Sequence, residues 1–551
     1  MKRTRRTFIK RNSTAVSEYF CRMTTDSRVL RNTANYYIRN LRTCMAKDKT
    51  ERTEKENEVI EIIDRALLAA NKKAAARKKK CLEAAEKATS PEEKERFTKK
   101  AEKIVFFKRP ADGLNFLSYE ALDAICKAEN IFAYRDMPAQ VNQQSLKKTA
   151  AAWKAYRAAA KNYFEAPQKY TGMPQIPGYI RKQGASAVWT SQMSRLFEAD
   201  GREYVLFGKG KVSVCIGKAS QFAGVKYVQT EVVPTGDGFY VLTTTDDGVK
   251  ETEAPIHPER ILGIDLGVGN LASCVSNFEM YPFLIRGGAV KSVNQWFNKE
   301  RARLISVLTH GSDSRHSRKK SRALTILSRK REFFLSDFFW KAAWYIVRQA
   351  KNNRVQVIVV GKNNGWKQNT FMGTANNQSF VSIPYTKFLG RLRTVAAKNG
   401  IALVETEERY TSKASLIDRD SMTFTENKKK QAFSGTRVKR GLYRTKNGIC
   451  LNADINGAGN IIRKAYSYAF DSVKDYSYMW KTTVSVGFRD LYQQKPKAPK
   501  RYYAQKCGKG AHIRHQSRAV RRTELLQVFG VTTAKKKPSS GKKETAKAAK
   551  K

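Results

Sequence analysis

The sequence is short of the residues that build metal boxes and disulfide frameworks. Its eight cysteines stand singly at 21, 44, 81, 126, 215, 274, 450 and 507, and no two form a Cys-x-x-Cys pair. A zinc ribbon is therefore not expected, and neither is a disulfide framework in so large a chain. Five histidines scattered over 551 residues offer no metal box. Any bound metal must then take oxygen ligands, which selects Mg2+ or Mn2+. Long apolar runs are missing as well. No stretch reaches the ~18 apolar residues that a membrane-spanning helix requires. The opening MKRTRRTFIKRN has no apolar segment behind it, and no lipidation box stands at a terminus, so a membrane partner is not expected. Acidic residues are scarce beside their opposites: 49 Asp and Glu face 105 Lys and Arg, a net charge of +56. A body so charged repels itself, and a polyanion relieves the repulsion, so nucleic acid is the expected partner.

What is present is globular. Hydrophobic residues make up 41% and aromatics 11% of the chain, enough for buried cores, and a chain of this length is expected to form about two to four domains. Residues 1–45 are basic and mixed, with a tyrosine-bearing amphipathic segment, NTANYYIRNLR, at 32–42. From about 50 to 165 the pattern is helical. Ser90-Pro91-Glu92-Glu93 has the form of a helix start, with Ser at the cap and Pro at the first helical position. Ala/Lys/Glu-rich stretches at 66–88 and 92–103 on either side suggest an exposed helical hairpin. A further helix over 138–164 carries an apolar face and a Lys/Arg/Gln face, suited equally to solvent and to a nucleic-acid groove.

Residues 166–255 change character. The connector GMPQIPGY leads into YVLFG, KVSVCIG, VKYVQTEVV and FYVLTTT, short runs punctuated by Gly and Asp. These predict a β-rich region, a small barrel to which the N-terminal segment adds strands. His257-Pro258 marks a boundary, after which strands and helices alternate as in an α/β sheet domain. The tail from about 531, rich in Lys, Ala and Ser, is expected to be disordered.

The chemistry-bearing residues are carboxylates. ILGID (261–265) reads as a buried strand ending on Asp265, with glycines after it. An Asp in an apolar run costs free energy unless it is paired or holds a cation. A second buried strand, VQVIVVG, lies within 355–361, helical residues follow near 384–399, and a third strand opens GIALVETEERYTSKAS (400–415). LNADINGAGNIIRKAYSYAF (451–470) reads as a helix with Asp454 in its first turn, and Gly457, Ala458 and Gly459 give it a thin face for packing on a sheet. Parallel strands bring their carboxyl ends to one edge, where carboxylates can gather around metal ions about 3.5–4 Å apart.

GIDLGVGNLAS, GKNNGWKQ…NNQSFVSIPY, YTSK and NADINGAGNI resemble the RuvC motifs of the TnpB family of transposon-encoded nucleases, which is related to the Fanzor proteins and the type V CRISPR effectors. The resemblance is continuous over roughly 260–470, with a fainter echo in ANYYIRN and AQVNQQSLKKTAAAWKAY. It implies a multidomain α/β protein, in which an RNase H-like (RuvC) nuclease domain is joined to an α-helical recognition lobe and a β-barrel wedge domain. On this reading 1–45 and 166–256 form the wedge, 46–165 the recognition lobe, 257–410 and 451–500 the nuclease domain, 411–450 a basic insert that touches DNA, and 501–551 a basic tail. The implied activity is Mg2+-dependent, RNA-guided cleavage of DNA, with guide RNA and double- and single-stranded target DNA as partners. Asp265 and Asp454 carry over as catalytic, metal-holding acids.

Two departures mark the chain. Most relatives end the second strand with Glu, where Gly361 stands here. A subgroup that includes Fanzor proteins supplies the acid just before the YTS element, where this chain has Glu405, Glu407 and Glu408. Glu408, three residues before Thr411, is favoured as the catalytic and metal-holding residue and Glu407 stands second; a shift of one residue along a strand changes its face, so the two cannot serve equally. The second departure is the absence of cysteine pairs between YTSK and the last motif, where Ala414 replaces a usual ligand; no zinc is expected. Candidates for nucleic-acid contact are Tyr36, Tyr37, Arg39, Gln140, Asn142, Gln143 and Lys148 in the two echoing segments, and Arg437, Lys439 and Arg440 in the insert. Two other readings stay open at this point: a guided DNA-binding protein that does not cut, and an unguided RuvC-type resolvase. Bacterial cytoplasm at the nucleoid is the expected location, or the nucleus in a eukaryotic host. Whether the chain works as monomer or dimer, and in a transposon or a CRISPR setting, stays open too.

Overall fold

The computed structural model describes residues 1–12, 14–111, 116–182, 184–210, 212–310, 320–362, 382–422, 433–439, 441–492 and 501–503. The chain divides into two units, Met1–Val249 and Lys250–Lys551. No described helix is long and apolar enough to cross a membrane.

In the first unit, β1 (Lys2–Lys10) is followed by five helices: α1 (Ala15–Met45), α2 (Glu54–Glu86), α3 (Pro91–Glu102), α4 (Tyr119–Ala128) and α5 (Phe132–Asp136). A sixth, α6 (Ala139–Glu165), leads into the strands β2 (Ala187–Thr190), β3 (Ser194–Ala199), β4 (Arg202–Phe207), β5 (Val212–Lys218), β6 (Lys226–Pro234) and β7 (Gly238–Asp246). The helix starts follow local chemistry. Thr53 and Glu56 make a reciprocal capping box at α2, each side chain on the other's backbone N–H. Ser90 and Pro91 open α3 as the sequence suggests, although the Ser90 side chain makes no capping bond. Trp153 of α6 is buried and donates its indole N–H to Asn35 of α1 at 2.9 Å.

The strands do not form the expected closed barrel. They make two separate sheets, β1-β7-β6-β2 and β3-β4-β5. Residues 2–10 pair antiparallel with β7 over nine positions, but 15–45 are helical and add no strand. A physical reason lies in α1. Its Phe20 is wholly buried and its ring packs 5.2 Å from Phe207 and 5.6 Å from Phe239, so a helix fills the space between the sheets.

The second unit is built on a seven-stranded sheet. Its strands are β8 (Ile261–Asp265), β9 (Asn270–Ser276), β10 (Phe283–Arg286), β11 (Val357–Gly361), β12 (Ala402–Thr406), and later β16 (Thr482–Val486) and β17 (Arg501–Tyr503). The order is β12-β11-β8-β9-β10-β16-β17. β8, β9 and β10 form an antiparallel meander, while β11 lies parallel to β8 and β12 parallel to β11. β8 and β11 are apolar because both their faces are covered. One face packs on α7 (Gly288–Thr309), α8 (Arg322–Asn352) and α9 (Tyr385–Lys398), through Phe338, Phe339, Ile346, Phe388 and Leu392. The other packs on α10 (Ala453–Ala465), through Ile455, Ala458, Ile461 and Ile462. A small sheet of β13 (Thr436–Lys439), β14 (Leu442–Arg444) and β15 (Cys450–Leu451) precedes α10. The short helices α11 (Tyr478–Lys481) and α12 (Phe488–Tyr492) flank β16.

Phe20→Ala removes the ring that both first-unit sheets share. The expected cost is about 3–5 kcal/mol, seen as a lower denaturant midpoint for the first unit's transition; an unchanged midpoint would show that the sheets do not depend on this ring.

Candidate metal centre

The three parallel strands deliver their carboxyl ends to one edge. β8 ends on Asp265 and β11 on Gly361, and β12 runs out two residues before Glu408. The helix that crosses this edge, α10, begins at an Asn452 cap whose side chain accepts from the N–H groups of Asp454 and Ile455. That cap sets Asp454 in the first turn, where the helix dipole favours an anion.

Asp265, Glu408 and Asp454 converge here. Burial pushes the Asp265 carboxyl well above the usual carboxylate range, and the nearby charges of Glu408 and Asp454 push it further. Burial alone raises Glu408 to about 7. The thin face of α10 makes the approach possible: a Cβ on Gly457 would lie 3.1 Å from Asp265 Oδ2. Tyr385, buried at the start of α9, senses both Asp265 and Glu408, since their charges help to raise its phenol.

Gly361 explains where the middle acid sits. A Cβ built there would come within 2.6 Å of Glu408 Cγ, 2.7 Å of Glu408 Oε1 and 2.6 Å of Ile461 Cδ1. The space that a side chain on β11 would need is occupied by Glu408, arriving from beyond the neighbouring strand. The other two glutamates are turned to different work. Glu405 is held by Lys362 at 2.6 Å and by Arg393 at 2.8 Å. Glu407 is 61% exposed and pairs with Lys464 at 3.3 Å.

Among the described residues, no group of three or more His, Cys, Asp or Glu side chains is ready-made to hold a metal ion. The chemistry of the cluster nevertheless fits a hard divalent cation. Three carboxyls share one edge, and the two whose proton affinity is raised would be eased into their charged forms by a cation between them.

The sequence did not mark several residues that build the site. Asn456 accepts from Leu416 N at 2.9 Å and donates to Ala414 O at 2.7 Å, while Asn460 donates to Thr411 O and Ala414 O at 3.0 and 2.7 Å. Thr411 in turn donates to the Glu408 carbonyl through its N–H and its hydroxyl. The 408–416 turn is thus sewn to α10. The signal available was the spacing of the two asparagines, one helical turn apart in NADINGAGN.

The proposed nucleic-acid contacts are not all exposed. Tyr36 is 43% exposed, whereas Tyr37 is buried. Arg39 donates to Pro177 O at 2.9 Å and lies over the Tyr179 ring. Gln140 bonds Gln192 and Thr190, and Gln143 is half-buried. Asn142 is buried and donates to Tyr134 O, and Lys148 pairs with Glu231 and donates to Ser186 at 2.8 Å. In the insert, Arg437 reaches Asp454 Oδ1 at 3.7 Å and Lys439 is exposed. Arg440 and most of the GKNNGWKQ…NNQSFVSIPY segment lie outside the described residues. Ala414 is fully buried. The insert's turns are tied instead by Asp418 and Asp420, which accept from Lys446 N, Ser415 N and Ser434 N at 3.0, 2.7 and 3.1 Å.

Residues 240–367 match the family model OrfB_IS605, described as a probable transposase. The matched stretch holds the strands β8 to β11, and so both Asp265 and Gly361. A comparison with curated proteins gave no match. Among solved structures, the chain resembles the protein of a Cas12f1–sgRNA–target DNA complex at 14% identity and a TM-score of 0.41, covering 84% of this chain and 98% of that one. A mini RNA-guided endonuclease, CRISPR-Cas_phi3, aligns at 12% identity and a TM-score of 0.33 over 84% and 92%. The C2c1 protein of Alicyclobacillus acidoterrestris with its single-guide RNA aligns at 8% identity and 0.29 over 81% and 70%.

Two outcomes test the centre. Gly361→Ala is expected to displace Glu408 and lower divalent-ion affinity on the order of tenfold or more, the range for misplaced support around a metal, measured by Mn2+ titration; unchanged affinity would mean that Gly361 is not a space-maker. The second concerns pH. The folded chain holds the Glu408 proton more tightly than an unfolded one, so this group's stabilisation is full below its ordinary 4.5 and lost as pH rises through about 7. In EDTA, the melting temperature of the parent relative to Glu408→Gln should fall across that window, and Mg2+ should remove the decline; a flat difference would put Glu408 in solvent.

Proposed function

We propose that the chain is an RNA-guided DNA endonuclease, in which a RuvC-type, RNase H-like domain hydrolyses DNA phosphodiesters at Asp265, Glu408 and Asp454. The observation that carries the reading is their convergence at the carboxyl edge of a sheet ordered β12-β11-β8-β9-β10, with its first three strands parallel and the last three a meander. That is the RNase H-like arrangement. The family match over 240–367 and the +56 charge support it. The similar structures, a Cas12f1 complex with guide RNA and target DNA and a mini RNA-guided endonuclease, indicate the partners to try first.

When bound, Mg2+ ions supply activation of water and stabilisation of the leaving oxygen. Asp265, fixed at a strand end, would be one of the residues that hold them. Glu408 and Asp454 would be the others, and α10, which carries Asp454 and bonds the 408–416 turn, would keep their spacing. Arg437 and Lys439, on the insert, are suited to steady the DNA backbone, and the basic helices of the first unit to grip a guide–target heteroduplex by its shape and phosphates. Exposed Tyr36 remains the first candidate to meet a target-adjacent motif, with half-buried Gln143 beside it; Tyr37 and Asn142 are buried, and Arg39, Gln140 and Lys148 are bonded within the protein. The non-cutting alternative drew its support from Gly361, and the occupation of that space by Glu408 weighs against it.

The test is expression with the flanking DNA, sequencing of the RNA that co-purifies, and cleavage of a plasmid matching its guide portion in Mg2+. Cleavage is expected from the parent and from Glu407→Gln within a few-fold, and loss to background from Asp265→Ala, Asp454→Ala and Glu408→Gln. A protein that retains no RNA would overturn the guided reading. A parent that binds RNA and matched DNA without cutting would establish the binding-only alternative.

A further inference from the structure

Asp454 is held from a second direction. Asn270, the first residue of β9 and 8% exposed, donates its side-chain amide to Asp454 Oδ2 at 2.8 Å. The amide oxygen of Asn270 accepts from Arg286 Nη1 at 3.3 Å. Arg286, the last residue of β10, donates through Nε to Ser485 of β16 at 2.7 Å. The register of β9 and β10 breaks between Ile285 and Arg286, so that Arg286 comes opposite Asn270. Gly287 N–H then bonds Gly269 O at 2.9 Å and pins the loop that carries Asn270. A chain of bonds therefore runs Ser485, Arg286, Asn270, Asp454 across three strands to the helix.

We propose that Asn270, oriented by Arg286, is a positioning residue that takes up Oδ2 of Asp454 and leaves Oδ1 as the oxygen presented to a divalent cation. This rests on the nuclease reading and adds to it. The logic is one of donors. An amide NH2 offers donors only, so the nitrogen must face Asp454, and the guanidinium, which has no acceptor, selects that orientation by holding the amide oxygen. Arg286 spends its hydrogen bonds on the Asn270 amide oxygen and on Ser485, and so acts on the carboxylate through Asn270. Oδ1 is ion-paired with Arg437 at 3.7 Å, longer than a hydrogen bond, a contact that a divalent cation can replace. Partners that orient a ligand from behind commonly set metal affinity by 10–100-fold.

The test uses the full-length chain and Mn2+ alone, with binding followed by the loss of the free-ion electron paramagnetic resonance signal. Asn270→Ala is expected to weaken Mn2+ binding roughly 10–100-fold, and Arg286→Ala by a smaller factor in the same direction. Asn270→Asp, which sets a like charge against Asp454 and donates nothing, should be at least as weak as Asn270→Ala. In an Asp454→Ala background, Asn270→Ala should change nothing further, because it acts through that carboxylate alone. Melting temperature, guide RNA affinity and DNA affinity should match the parent, and cleavage by Asn270→Ala should return at high Mn2+. Parent-like Mn2+ affinity in folded Asn270→Ala, or an equal loss in the Asp454→Ala background, would overturn the proposal while the cutting parent still upheld the nuclease. Absence of Mn2+ uptake by the parent itself would instead bring down the metal-centre reading and this proposal with it.

Discussion

Mutual repulsion of carboxylates in a poorly solvated place is the constraint on which the second unit turns. Asp265, Glu408 and Asp454 gain nothing from one another as bare charges, and burial raises the cost of ionising the first two. The surroundings therefore have to force the encounter. The β8 and β11 strands are apolar up to their ends and buried on both faces, and their parallel pairing, Val357 with Ile261 through Val360 with Ile264, delivers Asp265 to the edge. The helix that brings Asp454 is clamped by Ile455, Ala458, Ile461 and Ile462, and its glycine at 457 clears the path to Asp265. Hydrophobic burial supplies the force that holds like charges together.

Much of this was legible in the sequence, because periodicity and end signals are local. The strand ILGID, the helix from Asn452 and the helix over 139–165 appear where the apolar spacing indicates. Asp454 stands in a first turn as its sequence context indicates, and the Asn452 side chain caps that turn. The choice of Glu408 over Glu407 was open to one residue of error, and what separates them is tertiary: Gly361 leaves a space on the adjacent strand, and Lys464 draws Glu407 outward. No local pattern records either fact.

The β-rich part of the first unit was read as a barrel for an instructive reason. Alternating runs report that a strand has one wet face and one dry face, but not what covers the dry one. Here Phe20 of α1 lies among Trp189, Phe207 and Phe239, so a helix replaces the opposite wall. In the same way, asparagines in NADINGAGN read as helix polarity until the 408–416 turn is seen to hang from them. Polar residues that bond across long sequence separations announce nothing about their partners.

That turn has a consequence for how the protein comes into being. Glu408 is not carried by the sheet: its backbone is tied to Thr411, Thr411 to Asn460, and Asn460 belongs to the helix that also presents Asp454. Two of the three acids therefore arrive together, some fifty residues of synthesis after Glu408 itself has been made. One helix therefore governs two acids at once: a displacement of α10 shifts both Glu408 and Asp454 against Asp265, which the sheet holds in place.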